Sequence, residues 1–265
     1  MNGERIKAVI SKEWMDMGKN KLVLMMMALL PILLVGMILG TVYFMERAPE
    51  ADFEPGTGSS GIALPEAMSH LDYKTGTIVL LNDQYMFYLL MIPMALPIYI
   101  AAYSIIGEKE TRSLEPLLAT PISTAELLVG KVTAAVVPAV ILAWLSFLVT
   151  AAGMYVLASP VVFAYLVRPV WTLSMAVHAP LFALLSTSSG VIASSRMNDP
   201  RAAQQVSALF IVPVIAASMA VIMGRLYLSL DIMLWATAAM VLINVGVLWL
   251  AVRLFQREMI LTRWK

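Results

Sequence analysis

Long apolar stretches alternate with shorter polar segments along this chain of 265 residues. Six of the apolar stretches come close to the ~20 residues with which an α-helix crosses a ~30 Å hydrocarbon core. The pattern therefore predicts an all-α, polytopic integral membrane protein with six transmembrane helices. The predicted spans cover residues 22–45, 85–106, 132–158, 169–193, 206–223 and 232–252.

The fifth predicted span is the shortest of the six, and a semi-polar segment, 224–231, follows it. This combination is compatible with a broken or re-entrant helix. No polar stretch approaches the ~100 residues of a separate soluble domain. Residues 22–265 are therefore expected to form a single transmembrane domain.

Residues 1–21 differ from the rest of the chain in carrying both charged and apolar positions at short intervals. The apolar positions recur at helical spacing, which predicts an amphipathic helix lying on the cytoplasmic membrane surface. Such a helix serves either as a plain lipid anchor or as a docking element. The positions on its apolar side are Ile6, Val9, Ile10, Trp14 and Met17.

The composition supports a membrane protein, with 60% apolar and only 13% charged residues against about a quarter charged in soluble domains. The absence of cysteine excludes disulfides, Cys-based zinc sites and thiol catalysis. The 20 methionines are scattered through apolar stretches, which favours packing or lipid contact over soft-metal binding. We expect no metal site and no nucleic-acid partner.

The distribution of basic residues predicts the orientation of the chain. Fourteen of the 18 Lys and Arg residues fall on one side if both termini share it, and positive charge is retained in the cytoplasm. Both termini are thus expected inside a cell membrane, plasma or inner, with segment 46–84 outside. That external segment is either a solvated spacer or a loop that shapes a substrate exit or contacts a partner.

The segment 107–131 interrupts two apolar stretches with seven charged residues, whereas 86–106 carries none. Glu108 and Arg112 are spaced i,i+4 in the favourable acid-first order, which indicates a helix leaving the second span. Ser123 and Glu126 form an S-x-x-E capping box that opens the third. The segment is therefore predicted to be a compact polar insert between two helix ends.

Within this insert the sequence resembles the permease subunits of ABC-2-type exporters. The three pieces that carry the resemblance are GEKE at 107–110, SLEPLLATP at 113–121 and STAELLVGK at 123–131. The resemblance implies a cytoplasmic coupling helix between the second and third spans, seated in an ATP-binding subunit. Its implied contact residues are Glu108, Lys109, Glu110, Arg112, Leu114, Glu115, Leu117, Leu118, Thr120 and Pro121.

The sequence contains no match for a phosphate-binding P-loop along this insert. Gly130-Lys131 is preceded by Ala125 at the first motif position and followed by Val132, so G-x-x-x-x-G-K-[ST] fails at both ends. No cofactor is expected in this chain, which is not itself an enzyme. ATP and Mg²⁺ are expected in a separate partner chain.

Two further features bear on assembly and motion. Gly36 and Gly40 form a G-x-x-x-G pair in the first span, which indicates either close packing within the subunit or a dimer contact with a second permease copy or a related permease. Pro93 and Pro97 lie in the span that leads to the insert. They produce either a static bend or a helix that can swing.

His178 and Asn244 are the polar candidates for a substrate pathway inside the spans. A histidine hydrogen-bonded between helices is the plainer interpretation, and the same two interpretations apply to Asn244. The resemblance implies an ATP-driven exporter. An ATPase-independent secondary transporter or channel is the alternative, although the scarcity of intramembrane charge argues against it.

Overall fold

The structure, a computed structural model, describes residues 2–53, 64–110, 122–197, 199–223 and 228–254, and these ranges are helical with no strand. This confirms the predicted all-α class. We number the α-helices in chain order. They are α1 Gly3–Lys19, α2 Lys21–Arg47, α3 Tyr73–Glu110, α4 Thr124–Leu157, α5 Pro160–Leu166, α6 Pro169–Leu173, α7 Ala179–Arg196, α8 Pro200–Ala208, α9 Val212–Ile222 and α10 Leu230–Leu254.

In the described ranges, five helices are long and apolar enough to cross a membrane, and a sixth span results if the bent pair α8 and α9 is counted as one. The two members of this pair meet at 41°. A broken helix was predicted near the fifth span, and among the described residues a break lies at Leu209–Ile211, between α8 and α9.

Asn20 separates the surface helix from the first long helix. It ends α1, and its side-chain oxygen accepts hydrogen bonds from the N–H groups of Leu22 and Val23 at the start of α2. A short polar residue is well suited to this N-cap position. The predicted helix in residues 1–21 is present, and it starts with Asn2, whose side chain caps Glu4.

Helix α3 is the central element and has 38 residues, which is about 57 Å at 1.5 Å per residue. It begins at Tyr73, well before the predicted start of the second span at 85. Asp72 accepts a hydrogen bond from the Thr75 N–H at 2.9 Å, and this bond holds the pKa of the Asp72 carboxyl below its ordinary value. Helices α2, α4, α7 and α9 pack around α3.

Small residues allow α7 to lie close against α3. Ala179 and Ala183 are fully buried, and a Cβ added to Gly190 would lie 3.1 Å from the Ala101 Cβ. Lipid tails are as apolar as the side chains, so helices associate in a membrane through such close packing rather than through the hydrophobic effect.

A π-helix, Ser174–His178, joins α6 to α7. It follows two short helices, α5 and α6, each of which begins with a proline at its first position. Proline suits that position because its missing N–H has no intrahelical partner there. The apolar region from Pro160 to Ser194 thus contains three α-helices and the π-helix.

Candidate functional site

The polar insert ends at a capping box at the start of α4, as predicted. The Glu126 N–H donates to Ser123 Oγ at 3.2 Å, and the Ser123 N–H donates to Glu126 Oε2 at 2.9 Å. These two bonds fix the first turn of α4. The insert therefore leads into a well-defined helix start.

At its other end the insert continues directly from α3, whose helical backbone extends through Glu110. Glu108, Lys109 and Glu110 thus belong to the last turn of that helix. The remaining predicted contact residues, Arg112, Leu114, Glu115, Leu117, Leu118, Thr120 and Pro121, lie outside the described residues. Their role in binding a partner remains a prediction.

Helix α1 docks on the same first turn of α4. The Asn2 N–H donates to Glu126 Oε1 at 2.6 Å, and Arg5 Nη1 lies 3.7 Å from Glu126 Oε2. One carboxylate therefore closes the capping box and also holds the start of the surface helix. This contact joins residues 124 positions apart.

One turn further along, the contact between α1 and α4 becomes buried. Lys131 Nζ lies 2.7 Å from Glu13 Oε1, with the two side chains only 3% and 6% exposed. A Cβ added to Gly130 would lie 2.7 Å from the Val9 Cβ, so glycine permits this approach. Gly130 thus allows α1 to approach α4 closely, and Lys131 supplies the positive charge that pairs with Glu13 of α1.

Trp14 extends the contact by donating its indole N–H to the Ala134 carbonyl at 3.0 Å. The surface helix is therefore attached to α4 at three successive levels. This supports the docking interpretation of α1 rather than that of a plain lipid anchor.

Comparison with protein families supplies the decisive observation. The family described as ABC-2 family transporter protein matches residues 7–232, which include the surface helix, the insert and the long helices from α2 to α9. The chain belongs to the ABC-2 transporter family. A search of curated proteins finds no match.

This ABC-2 protein is therefore a permease component of an ABC transporter and a multi-pass membrane protein. Membrane proteins of the family generally work with ABC ATP-binding subunits. Among the described residues, no group of three or more His, Cys, Asp or Glu is placed to hold a metal ion.

The two prolines of α3 in this ABC-2 protein have a partner on α7. Pro97 has no N–H, so the carbonyl of residue 93 loses its intrahelical donor. Ser186 Oγ lies 3.3 Å from the Pro93 carbonyl oxygen and 3.1 Å from the Ala183 carbonyl oxygen of its own helix, so the two acceptors share one hydroxyl proton. A hydroxyl from a neighbouring helix is thus within reach of the carbonyl that lost its donor, as is common for prolines in membrane helices.

His178 lies at the interface of α7 and α10 and is 3% exposed. Thr237 donates its hydroxyl to the Met233 carbonyl at 2.8 Å, so its oxygen accepts the His178 Nε2–H at 3.2 Å. This favours the interhelical interpretation of the histidine. Asn244 donates to the Met240 carbonyl of its own helix, and no described residue pairs with its Oδ1.

Gly36 and Gly40 have open space beside them in this ABC-2 protein. A Cβ added to either would meet nothing within 4 Å in the described structure. Gly153 provides the contrast, because a Cβ there would lie 2.6 Å from Leu39 side-chain carbons. The close approach of α2 to α4 thus uses Gly153 rather than the predicted pair.

A polar cluster at the end opposite the insert was not predicted. Asp83 is 1% exposed on α3 and accepts from Arg168 Nη2 at 2.5 Å and from the Trp171 indole N–H at 2.7 Å. The sequence prediction placed Asp83 in the external segment. The signal available in the sequence was that Asp83 and Arg168, an acid and a base, both flank predicted spans on the external side of the membrane.

Proposed function

We propose that this chain is the permease subunit of an ATP-driven exporter, forming the substrate pathway and receiving its driving force from a separate ATP-binding subunit. The observation that carries the proposal concerns the two helix ends that flank segment 111–121 in the sequence. These are the end of α3 at Glu110 and the capping box of α4, and α1 is attached to that same capping box. A partner that moved the insert would act on three helices together.

ATP and Mg²⁺ belong to the partner in this proposal, since the insert sequence lacks a P-loop. The residues expected to contact the partner are those from Glu108 to Pro121 named in the sequence analysis. Contacts there are expected from the charged positions and from Leu114, Leu117 and Leu118.

Helix α3 is the element through which movement would pass across the membrane. It is continuous from the insert to Asp83 and beyond, and the Pro93 carbonyl lies within hydrogen-bond distance of the Ser186 hydroxyl. A shift of its insert end would therefore change the Asp83–Arg168 contact at its far end. Export is the direction implied by the family resemblance.

A second permease copy, identical or related, is proposed to cover the outward face of α2. Leu33 and Phe44 on this helix are 59% and 73% exposed, and Gly36 and Gly40 leave open space beside them. Small residues let two helices approach closely in lipid. In this proposal both termini lie on the cytoplasmic side of a cell membrane, because that orientation puts most basic residues on the cytoplasmic side.

The alternative of an ATPase-independent transporter or channel has weaker support. Such proteins usually use ionisable residues near the bilayer midplane. Asp83 is paired with Arg168, and His178 donates to Thr237. Asp83 and His178 are thus each bonded to another residue of the chain rather than exposed to a central pathway.

Copurification with ATP-hydrolysis measurements tests the proposal. An ABC ATP-binding chain of the same cell should copurify with the wild-type permease in mild detergent, and the doubly substituted Glu115→Ala, Leu117→Ala variant should lose most of that copurification. Glu66→Ala, an exposed acidic residue in the segment before α3, is the matched control and should bind normally. Transport activity of the chain alone in vesicles lacking any ATPase would overturn the proposal.

A further inference from the structure

A continuous groove runs from α1 along the interface of α2 and α4. Its first section, on α1, is lined by Lys7, Ser11 and Trp14. The second section, about 410 Å³, lies between α1, α2 and α4 and shares Trp14 with the first. The third, about 510 Å³, lies between α2 and α4 and shares Met27 and Leu142 with the second.

Small side chains keep the deeper sections open. Gly18, Ala28 and Gly36 occupy lining positions at which a larger residue would fill the space. Ser146 is the polar side chain among the described lining residues there, and its hydroxyl donates to the Leu142 carbonyl at 2.7 Å. The deep part of the groove therefore offers an occupant apolar contact and no free hydrogen-bond donor.

The dimensions of the groove fit a lipid chain better than a protein helix. The twelve helical steps from Leu24 to Gly36 span about 18 Å, close to one leaflet of a ~30 Å hydrocarbon core. A helix about 10 Å wide over that length would need well over 1,000 Å³. The sections of about 410 and 510 Å³ are smaller than that, which favours the narrower acyl chain as occupant.

The mouth of the groove suits an anionic headgroup. Trp14 is half-exposed and its indole N–H is fixed to the Ala134 carbonyl, which matches the headgroup level that tryptophan prefers. Lys7 has an exposed, weak contact with Glu4 at 3.3 Å, so its ammonium group remains available to a second anion. Lys19 and Lys21 lie at the other end of α1 and are also exposed.

We propose that this groove binds one anionic phospholipid of the surrounding bilayer. The headgroup lies on Lys7 and Ser11 of α1, and one acyl chain lies between α2 and α4 as far as Gly36. The bound lipid fills the space that the small residues leave beside α2. The groove lies beside the face of α2 with Leu33 and Phe44 that is assigned above to a second copy, and Gly36 borders both surfaces.

Native mass spectrometry of the full-length, delipidated chain tests the site with palmitoyl-oleoyl phosphatidylglycerol and phosphatidylcholine as probes. The wild type should retain one phosphatidylglycerol. Ala28→Phe, which fills the groove, should weaken that binding about tenfold, whereas Ala239→Phe on the exposed face of α10 should leave it unchanged. Lys7→Gln should weaken phosphatidylglycerol binding about fivefold and leave phosphatidylcholine binding unchanged.

The same spectra separate the lipid from a second copy of the chain. Unchanged lipid retention in Ala28→Phe would overturn the proposal. So would conversion of a dimer to a monomer by Ala28→Phe with the lipid count unaltered, since the groove would then be a protein interface.

A measurement on the unsubstituted chain avoids dependence on variants. Phosphatidylglycerol with a photoreactive diazirine near the end of one acyl chain, present at a few per cent in phosphatidylcholine vesicles, should label α2 and α4 near Val35 and Val149. Labelling spread evenly over the exposed face of α10 would contradict a specific site.

Discussion

Two buried ion pairs lie at opposite ends of the molecule, and their surroundings differ. The insert-side pair, Glu13–Lys131, joins α1 to α4. Glu13 has a second cationic partner, because Lys12 Nζ lies 3.7 Å from the same carboxylate oxygen. The far-side pair, Asp83–Arg168, joins α3 to the turn between α5 and α6, where the Trp171 indole supplies a second hydrogen bond.

The two buried carboxylates differ in the number of cations that compensate their charge. Glu13 has two cationic partners, and α1 is also attached through Asn2, Gly130 and Trp14. Asp83 depends on a single cation at the far end of α3. The insert side therefore has two cations for its buried carboxylate, whereas the far side has one cation and one indole N–H, both from the same turn, that a movement of α3 can separate from Asp83.

The largest expected effect is from Asp83→Ala. Removal of one member of a buried pair leaves an uncompensated charge and costs about 3–5 kcal/mol, and Arg168 would be left in that state. Thermal unfolding in detergent measures the loss. Asp52→Ala, an exposed acid in the same half of the chain, is the control and should be near neutral. The pair assignment fails if the double variant Asp83→Ala, Arg168→Leu recovers none of the lost stability.

Lys131→Met should cost less, about 2 kcal/mol against the ~3–5 kcal/mol for an unprotected buried pair. Glu13 retains Lys12 as a partner, and the methionine fills a similar volume. The same unfolding measurement applies, with Lys12→Met as the complementary variant. A loss as large as that of Asp83→Ala would show that Lys12 does not compensate and would remove the contrast between the two ends.

Gly130→Ala tests the close approach of α1 to α4. The new methyl group would push against Val9. Overpacking costs about 1–3 kcal/mol, and alanine gains ~1 kcal/mol over glycine in a helix. The expected net loss of stability is about 1 kcal/mol. Gly246→Ala on α10, where a Cβ meets nothing within 4 Å, is the matched control and should be stabilising. Equal effects of both substitutions would contradict the proposed role of Gly130.

Ser186→Ala is expected to have the smallest effect, about 0.6 kcal/mol, which is the mean for interhelical hydrogen bonds in a membrane. The Pro93 carbonyl would lose the hydroxyl that it shares with Ala183. Ser189→Ala is the control, because that hydroxyl donates to Leu185 of its own helix and the structure gives it no bond to α3. Losses of equal size in the two variants would mean that the contact between Ser186 and Pro93 contributes nothing to stability.

The sequence pattern predicted the helical class and the capping box, because both depend on spacing along one segment. It did not predict the start of α3, because Lys74 and Asp83 were interpreted as loop residues. In the structure Lys74 donates to the carbonyls of Glu46 and Ala48, and Asp83 is paired, so both are polar residues satisfied by distant elements.

Long-range contacts account for the rest of what was missed. The attachment of α1 to α4 joins residues about 120 positions apart, and no local periodicity carries that information. The Gly36 and Gly40 pair was left between two interpretations for the same reason. Only the spatial arrangement of α2 and α4 shows that the described residues leave open space beside these glycines.

The bond between the Asn2 N–H and Glu126 has a practical consequence for handling the protein. Anything fused ahead of Asn2 would emerge beside the start of α4, on the surface where the ATPase is expected to seat. An affinity tag at that position would compete with the partner and mimic a loss of coupling. Tags for the copurification experiment therefore belong after the last helix.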